Sequence, residues 1–290
     1  MKTKITFIAL IFCAFAFTTQ DKSPLKVSKQ ISNEFSFVPS GNVERDNKTV
    51  SVQAFYISKT EISNQQYTAF LADLKAKNET SKLKIAAIDS NNWISEFGDS
   101  GKSYAAYYHN NMAYQNYPVV NIDKAGAELY CVWLTEKLNK ENPGLEIIVR
   151  LPTQSEWFRA CNPNNNEFPY SWEGPYLRNE KGLILCNFTR VGEENISYNP
   201  QAKNFELKDL PKTNESKDQD LTAPVKSYFP STLGLYNLNG NVAELTADGL
   251  AMGGSWKSGG YDVRNESSFK SNGASTSVGF RPVFSVQAKK

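Results

Sequence analysis

Histidine is nearly missing from this chain: His109 is the single one in 290 residues. A metal site built from three histidines is therefore excluded. Ser255 and Ser258 have no base beside them in sequence, so a serine hydrolase is not expected either. Cysteine is sparse, at four residues. Cys13 falls inside an N-terminal apolar run, which leaves Cys131, Cys161 and Cys186, an odd number that allows at most one internal disulfide. Cys161–Cys186 is the pair expected. Long apolar runs are missing too. The longest, Ile5–Phe17, has thirteen residues, whereas about 20 are needed to cross a bilayer. Net charge is small, +2 overall, and no basic stripe interrupts the polar stretches, so nucleic acid and anionic membrane surfaces are not expected partners. No internal repeat, coiled-coil heptad or phosphate-binding glycine pattern occurs.

What is present begins with Lys2 and Lys4, the apolar run, and then Thr18, Thr19 and Gln20. This is the layout of a secretory signal peptide over residues 1–20. Its removal takes away two lysines and brings the formal charge from +2 to 0. Bulky Phe12 before Cys13 argues against a lipid anchor there. The expected location is periplasmic, cell-surface or secreted. Residues 21–34 are polar and aperiodic, and are expected to form a flexible lead-in to one domain over 35–286.

Within that domain, Phe35–Val38 and Val50–Ile57 alternate as strands do. Ser63 with Gln66 forms a capping box ahead of Tyr67, Phe70, Leu71 and Leu74 at helical spacing. Residues 78–117, rich in Asn, Ser and Tyr, are expected as surface loops carrying a solvated His109. Tyr117–Ile122 suits a short strand. Asp123 is placed to cap a second helix whose inner face is Ala127, Tyr130, Cys131, Leu134 and Leu138, and Asn142-Pro-Gly stops it. Thr153 and Glu156 form another capping box, opening a helix with Trp157 and Ala160. Residues 162–221 return to loop.

The last third carries three distinctive stretches: GLYNLNGNVAEL (Gly234–Leu245), AMGGSWKSGG (Ala251–Gly260) and SVGFRPVF (Ser277–Phe284). With FYISKTEISNQQYTAFL and VRLPTQSEWFRA, they resemble the formylglycine-generating enzyme (sulfatase-modifying factor) family. The resemblance runs from about Phe35 to Phe284 and implies an α+β, C-type-lectin-like fold with short strands, few helices and much irregular loop. It also implies a copper(I) bis-thiolate site, but the two cysteine positions here hold Ser258 and Val263. Serine is a poor ligand for a soft copper(I) ion and valine has no donor, so copper chemistry is not expected.

Calcium is expected instead. The family pattern assigns one site to the side chains of Asn237 and Glu244 with the carbonyls of Gly240 and Val242, a mixed oxygen set that suits calcium. It assigns a second to Asn187, the Phe188 carbonyl and Asp218 or Asp220. The family's substrate groove maps onto Ser255, Trp256, Ser258, Tyr261 and Arg281. The function expected is an exported, calcium-stabilised binding or assembly module for a protein, peptide or glycan partner. The alternative is a formylglycine-generating oxidase with a non-standard metal site.

Overall fold

The computed structural model describes residues 27–45, 48–166, 168–190, 196–207 and 221–289. In chain order the elements are α1 (Lys29–Glu34), β1 (Phe35–Val38), β2 (Gly41–Arg45), β3 (Lys48–Val52), β4 (Phe55–Ser58) and α2 (Asn64–Ala76). Three short helices follow, α3 (Thr80–Ile85), α4 (Asn91–Phe97) and α5 (Gly101–Tyr107), then the long α6 (Lys124–Glu141), β5 (Leu145–Arg150) and α7 (Gln154–Cys161). The remainder is strand and loop: β6 (Ile196–Asn199), β7 (Asn204–Leu207), β8 (Ala243–Leu245), β9 (Leu250–Met252), β10 (Ser268–Lys270), β11 (Val278–Gly279) and β12 (Val283–Ala288). Among the described residues no helix is long and apolar enough to cross a membrane.

One antiparallel sheet, in the order β1-β4-β12-β5, brings the two ends of the domain together. Because side chains alternate along a strand, this sheet serves two cores. Phe35, Tyr56 and Phe284 point to one side, where Tyr56 and Phe284 stack at 4.7 Å and meet the inner faces of α2 and α6. Val38, Ile57 and Val283 point to the other side and pack on Trp157 of α7. A second small sheet, β10-β9-β8-β11, includes a parallel β11–β8 pair.

The helices start where local chemistry directs. Ser63 and Gln66 exchange the two bonds of a capping box, and so do Thr153 and Glu156. On α2, Tyr67, Phe70 and Leu74 are buried, while Leu71 is only partly so. On α6 all five expected inner residues are buried. Gly126 lets α6 approach α2 closely, since a Cβ there would stand 2.9 Å from the Tyr67 hydroxyl.

Several stretches depart from the sequence expectation. Tyr117–Ile122 forms no strand beyond an isolated Ser63–Pro118 bridge, and Val50–Ile57 is divided between β3 and β4. Residues 162–221 carry the β6–β7 pair, and Asp123 stands at the N-cap of α6 without a side-chain bond. Residues 78–117 carry three short helices, and their aromatic rings form a separate core around Trp93 and Tyr108, both fully buried, with ring centroids 4.9 Å apart. Trp93 with Phe97 and Tyr104 with Tyr108 are at i,i+4 spacing, but each helix has only seven residues, too short a run for the period to stand out in so polar a stretch. The lead-in also differs: Ser28 caps α1, and Ile31 inserts into the main core. Residues 1–26, including the expected signal peptide, lie outside the described residues. Burial of Ile31 generates a test. Ile31→Ala should cost about 2–4 kcal/mol, as buried Ile truncations do, measured by urea denaturation; a flexible lead-in would lose nothing.

Candidate functional site

The C-terminal motifs converge beneath β8, and their polar residues turn inward. Asn237, Gly240 and Asn241 all have positive φ, at 51°, 77° and 63°. At Gly240 a side chain would collide with the Asn187 carbonyl, so this loop is wound tightly against the Asn187 segment. The winding delivers Glu244 to a fully buried position opposite Arg281, itself fully buried. Arg281 Nε donates to Glu244 Oε1 at 2.9 Å and Oε2 at 2.8 Å, Nη2 donates to Oε1 at 2.7 Å, and Trp157 Nε1 donates to Oε2 at 2.7 Å. These four contacts use the lone-pair sites of the carboxylate. Two further guanidinium N–H groups, from Nη1 and Nη2, reach the carbonyls of Ser58 and Tyr236.

Beside this pair lies a second buried carboxyl, Glu61, from the EISN stretch before α2. Its oxygens accept from Asn241 Nδ2 at 2.7 Å and Asn237 Nδ2 at 3.3 Å. Burial pushes Glu61 up to about 8; the attraction of Arg281 works against that shift and the repulsion of Glu244 adds to it. One guanidinium thus answers one carboxylate, and a protonated Glu61 keeps the buried charge at zero. Three residues on, Asn64 Nδ2 donates to the Tyr108 and Tyr114 carbonyls, and its Oδ1 lies 2.9 Å from His109 Nδ1. His109 is therefore buried and not solvated as expected, and burial lowers it to about 4.

This geometry corrects the first expected calcium set. Asn237 Oδ1 is buried without a partner among the described residues, but Glu244 is saturated by a cationic side chain and an indole N–H. Calcium takes six to eight oxygens, and an ion at Glu244 would have to displace the guanidinium, so the residues as placed do not fit it. In the second set, Asn187 Nδ2 donates to the Leu221 carbonyl and to Asn241 Oδ1, while Asp218 and Asp220 lie outside the described residues. No group of three or more His, Cys, Asp and Glu side chains fit to hold a metal occurs among the described residues.

The family's copper residues do not fit their metal either. Val263 is fully buried against Tyr170 and Cys186. Ser258 Oγ accepts from the Ser255 N–H at 2.9 Å, closing a local turn. The three thiols are distributed over three different cores, Cys131 in the main one, Cys161 beside Trp157 and Cys186 beside Val263. All three are free and buried, so the expected Cys161–Cys186 disulfide is not formed. Burial raises every one of them, Cys186 to about 12, which keeps them protonated and poor as metal ligands.

The expected groove is also redrawn. Arg281 is in the core, and Ser255 and Trp256 are buried. Phe97 of α4 stacks on Trp256 at 5.9 Å, and Glu96 pairs with Lys257 Nζ at 2.5 Å. Tyr261 alone of the set is strongly exposed, 71%, with the Arg264 guanidinium 4.2 Å over its ring. Sequence reasoning missed Glu61, Asn241 and the α4 cover. Glu61 and Asn241 had a signal, their places in the opening motif and in GLYNLNGNVAEL, and the α4 cover had none.

The two buried titratable groups act on stability in opposite senses. A carboxyl raised from 4.5 to about 8 binds more protons folded than unfolded, so its contribution is lost as pH rises across that window. His109, lowered from 6.5 to about 4, contributes stability that is lost as pH falls through the same lower range. Between about pH 6.5 and 8 Glu61 is the main contributor, with a slope limited to about 1.4 kcal/mol per pH unit, and the three buried thiols add a smaller loss only toward the upper end of that window. The thermal midpoint should fall from pH 6.5 to 8, and Glu61→Gln should flatten that fall; an equal fall in the variant would place the titration elsewhere.

Residues 21–286 match the family model for the sulfatase-modifying factor enzyme 1-like domain. The formylglycine-generating enzyme of Streptomyces coelicolor is 26% identical over 218 residues, 69% of this chain and 59% of that one. The enzyme of that name from Bos taurus is 24% identical over 220 residues, 69% of this chain and 50% of that one. The chain thus spans only 50–59% of the length of these two relatives. Among solved structures, PvdO from Pseudomonas aeruginosa aligns with a TM-score of 0.54 at 14% identity, over 86% of this chain and 93% of that one. CarF aligns at 0.53 and 18%, over 89% and 98%. These likenesses establish the α+β, formylglycine-generating-enzyme-like fold, and the chain belongs to the sulfatase-modifying factor enzyme 1-like domain family.

Proposed function

We propose that this chain is an exported, non-catalytic member of its family that works as a binding or assembly module. The observation that carries the reading is the replacement of the family's thiolate pair. Ser258 is tied into a turn, Val263 is packed in an apolar core, and the three remaining thiols sit in three separate cores and are held protonated by burial. Among the described residues no two sulfurs are brought together to bind a soft ion.

The partner is a protein, a peptide or a glycan, and it would meet the molecule at the rim where Tyr261 stands exposed. Exposed tyrosine suits such contact, with an apolar ring and a polar tip. Structural calcium belongs to this reading at the second set, where Asn187 and the Phe188 carbonyl would be joined by Asp218 or Asp220, and not at Glu244. The signal-peptide layout of residues 1–20 supports export into a periplasmic, surface or extracellular setting.

The decisive experiment incubates the purified protein with copper(I) and a sulfatase-type peptide containing Cys-x-Pro-x-Arg, with mass spectrometry as readout. The peptide cysteine should remain unchanged and no stoichiometric tight copper should be retained. Conversion of that cysteine to the aldehyde would overturn the proposal in favour of an oxidase with a non-standard metal site.

A further inference from the structure

A cavity of about 460 Å³ opens between α1, the β4–α2 connection, α6 and the Val225–Lys226 segment. None of Ser255, Trp256, Ser258, Tyr261 and Arg281 lines it, so it is distinct from the expected groove, although Ser58, whose carbonyl accepts from Arg281, is in its wall. Its size lies within the range of small-molecule pockets, roughly 300–1,000 Å³.

The floor is aromatic and aliphatic, made by Phe35, Tyr130, Trp133 and Leu134. Trp133 has its indole N–H committed to Asp73 Oδ2 at 2.9 Å, which fixes the ring. The rim is cationic. Lys59, Lys137 and Lys226 line the cavity against one carboxylate, Glu34, an excess of two positive charges. Lys59 Nζ donates to the Ser32 carbonyl at 2.8 Å, using one of its three N–H groups and holding α1 at the rim. Lys137 Nζ stands 5.4 Å from the Trp133 ring centroid. An apolar floor under an unbalanced cationic rim is complementary to a molecule with an aromatic body and an anionic end.

We propose that this cavity is a binding site for an aromatic organic anion. The ring would lie on the Trp133 and Tyr130 floor while a carboxylate, sulfonate or phosphate group meets the lysines. Binding rests on shape and charge and needs no chemical step.

The probe is 1-anilinonaphthalene-8-sulfonate, whose fluorescence rises on leaving water, with neutral N-phenyl-1-naphthylamine as its comparison. The sulfonate should bind the full mature protein with 1:1 stoichiometry, more tightly than the neutral probe, and more weakly as salt is added. The exposed-lysine variant Lys137→Gln/Lys226→Gln should weaken it by about tenfold, as expected when charge-assisted contacts are lost, with the thermal midpoint retained. Ala69→Trp, at an exposed position of α2 on the cavity wall, should abolish binding in a protein that still folds. No binding, equal affinity for the neutral probe, or an undiminished signal in either variant would overturn the proposal.

Discussion

Arg281 has no exposure to solvent, and the C-terminal half of the domain is arranged to answer its charge. Its guanidinium links β8 through Glu244, the end of β4 through the Ser58 carbonyl, and the loop before β8 through the Tyr236 carbonyl. Removing a charge from water is costly unless pairing and hydrogen bonding compensate. The tight winding at Asn237, Gly240 and Asn241 serves that pairing, since it delivers Glu244 into the core and leaves Asn241 Nδ2 to hold Glu61. The SVGFRPVF motif is thus a structural knot between two sheets, and Arg281 is unavailable to any ligand at the surface.

The same knot borders the stretch where the family resemblance implies copper, since the Asn241 carbonyl accepts from the Trp256 N–H. In this chain, the segment that carries Ser258 and Val263 is held by other means. Thr189 Oγ1 and the Asn241 carbonyl secure the Trp256 backbone, the α4 helix covers its ring, and Val263 fills an apolar pocket beside Tyr170 and Cys186. None of these contacts requires an ion. Ser258 and Val263 stand where the resemblance implies thiolates, and they contribute a turn bond and apolar packing.

Much of the fold was legible in the sequence, and the rest was not for identifiable reasons. The capping boxes at Ser63 and Thr153 and the spacing of Tyr130, Leu134 and Leu138 are local signals, and α2, α6 and α7 form where those signals lie. Helix α1 has six residues, far below the length at which a helix stands alone; Ile31 forms it by burial, which no local pattern reveals. The helices within 78–117 depend likewise on aromatic contacts with distant residues, Trp256 among them. At the site, Asn237 and Glu244 carry a motif that reads equally well as a cation loop or as half of an ion pair. The partner that decides between them, Arg281, stands 37 residues away from Glu244. A sequence shows a buried carboxylate's type but not what neutralises it.

The most direct test of this account is a double-mutant cycle on Arg281→Met and Glu244→Gln, read by chemical denaturation. If the two groups answer one another in the core, each single change should cost about 3–5 kcal/mol by stranding its partner, and the double variant should lose much less than the sum. Additive losses would contradict the account, since they would mean that Arg281 and Glu244 are held by independent partners and that the knot is not what closes the domain.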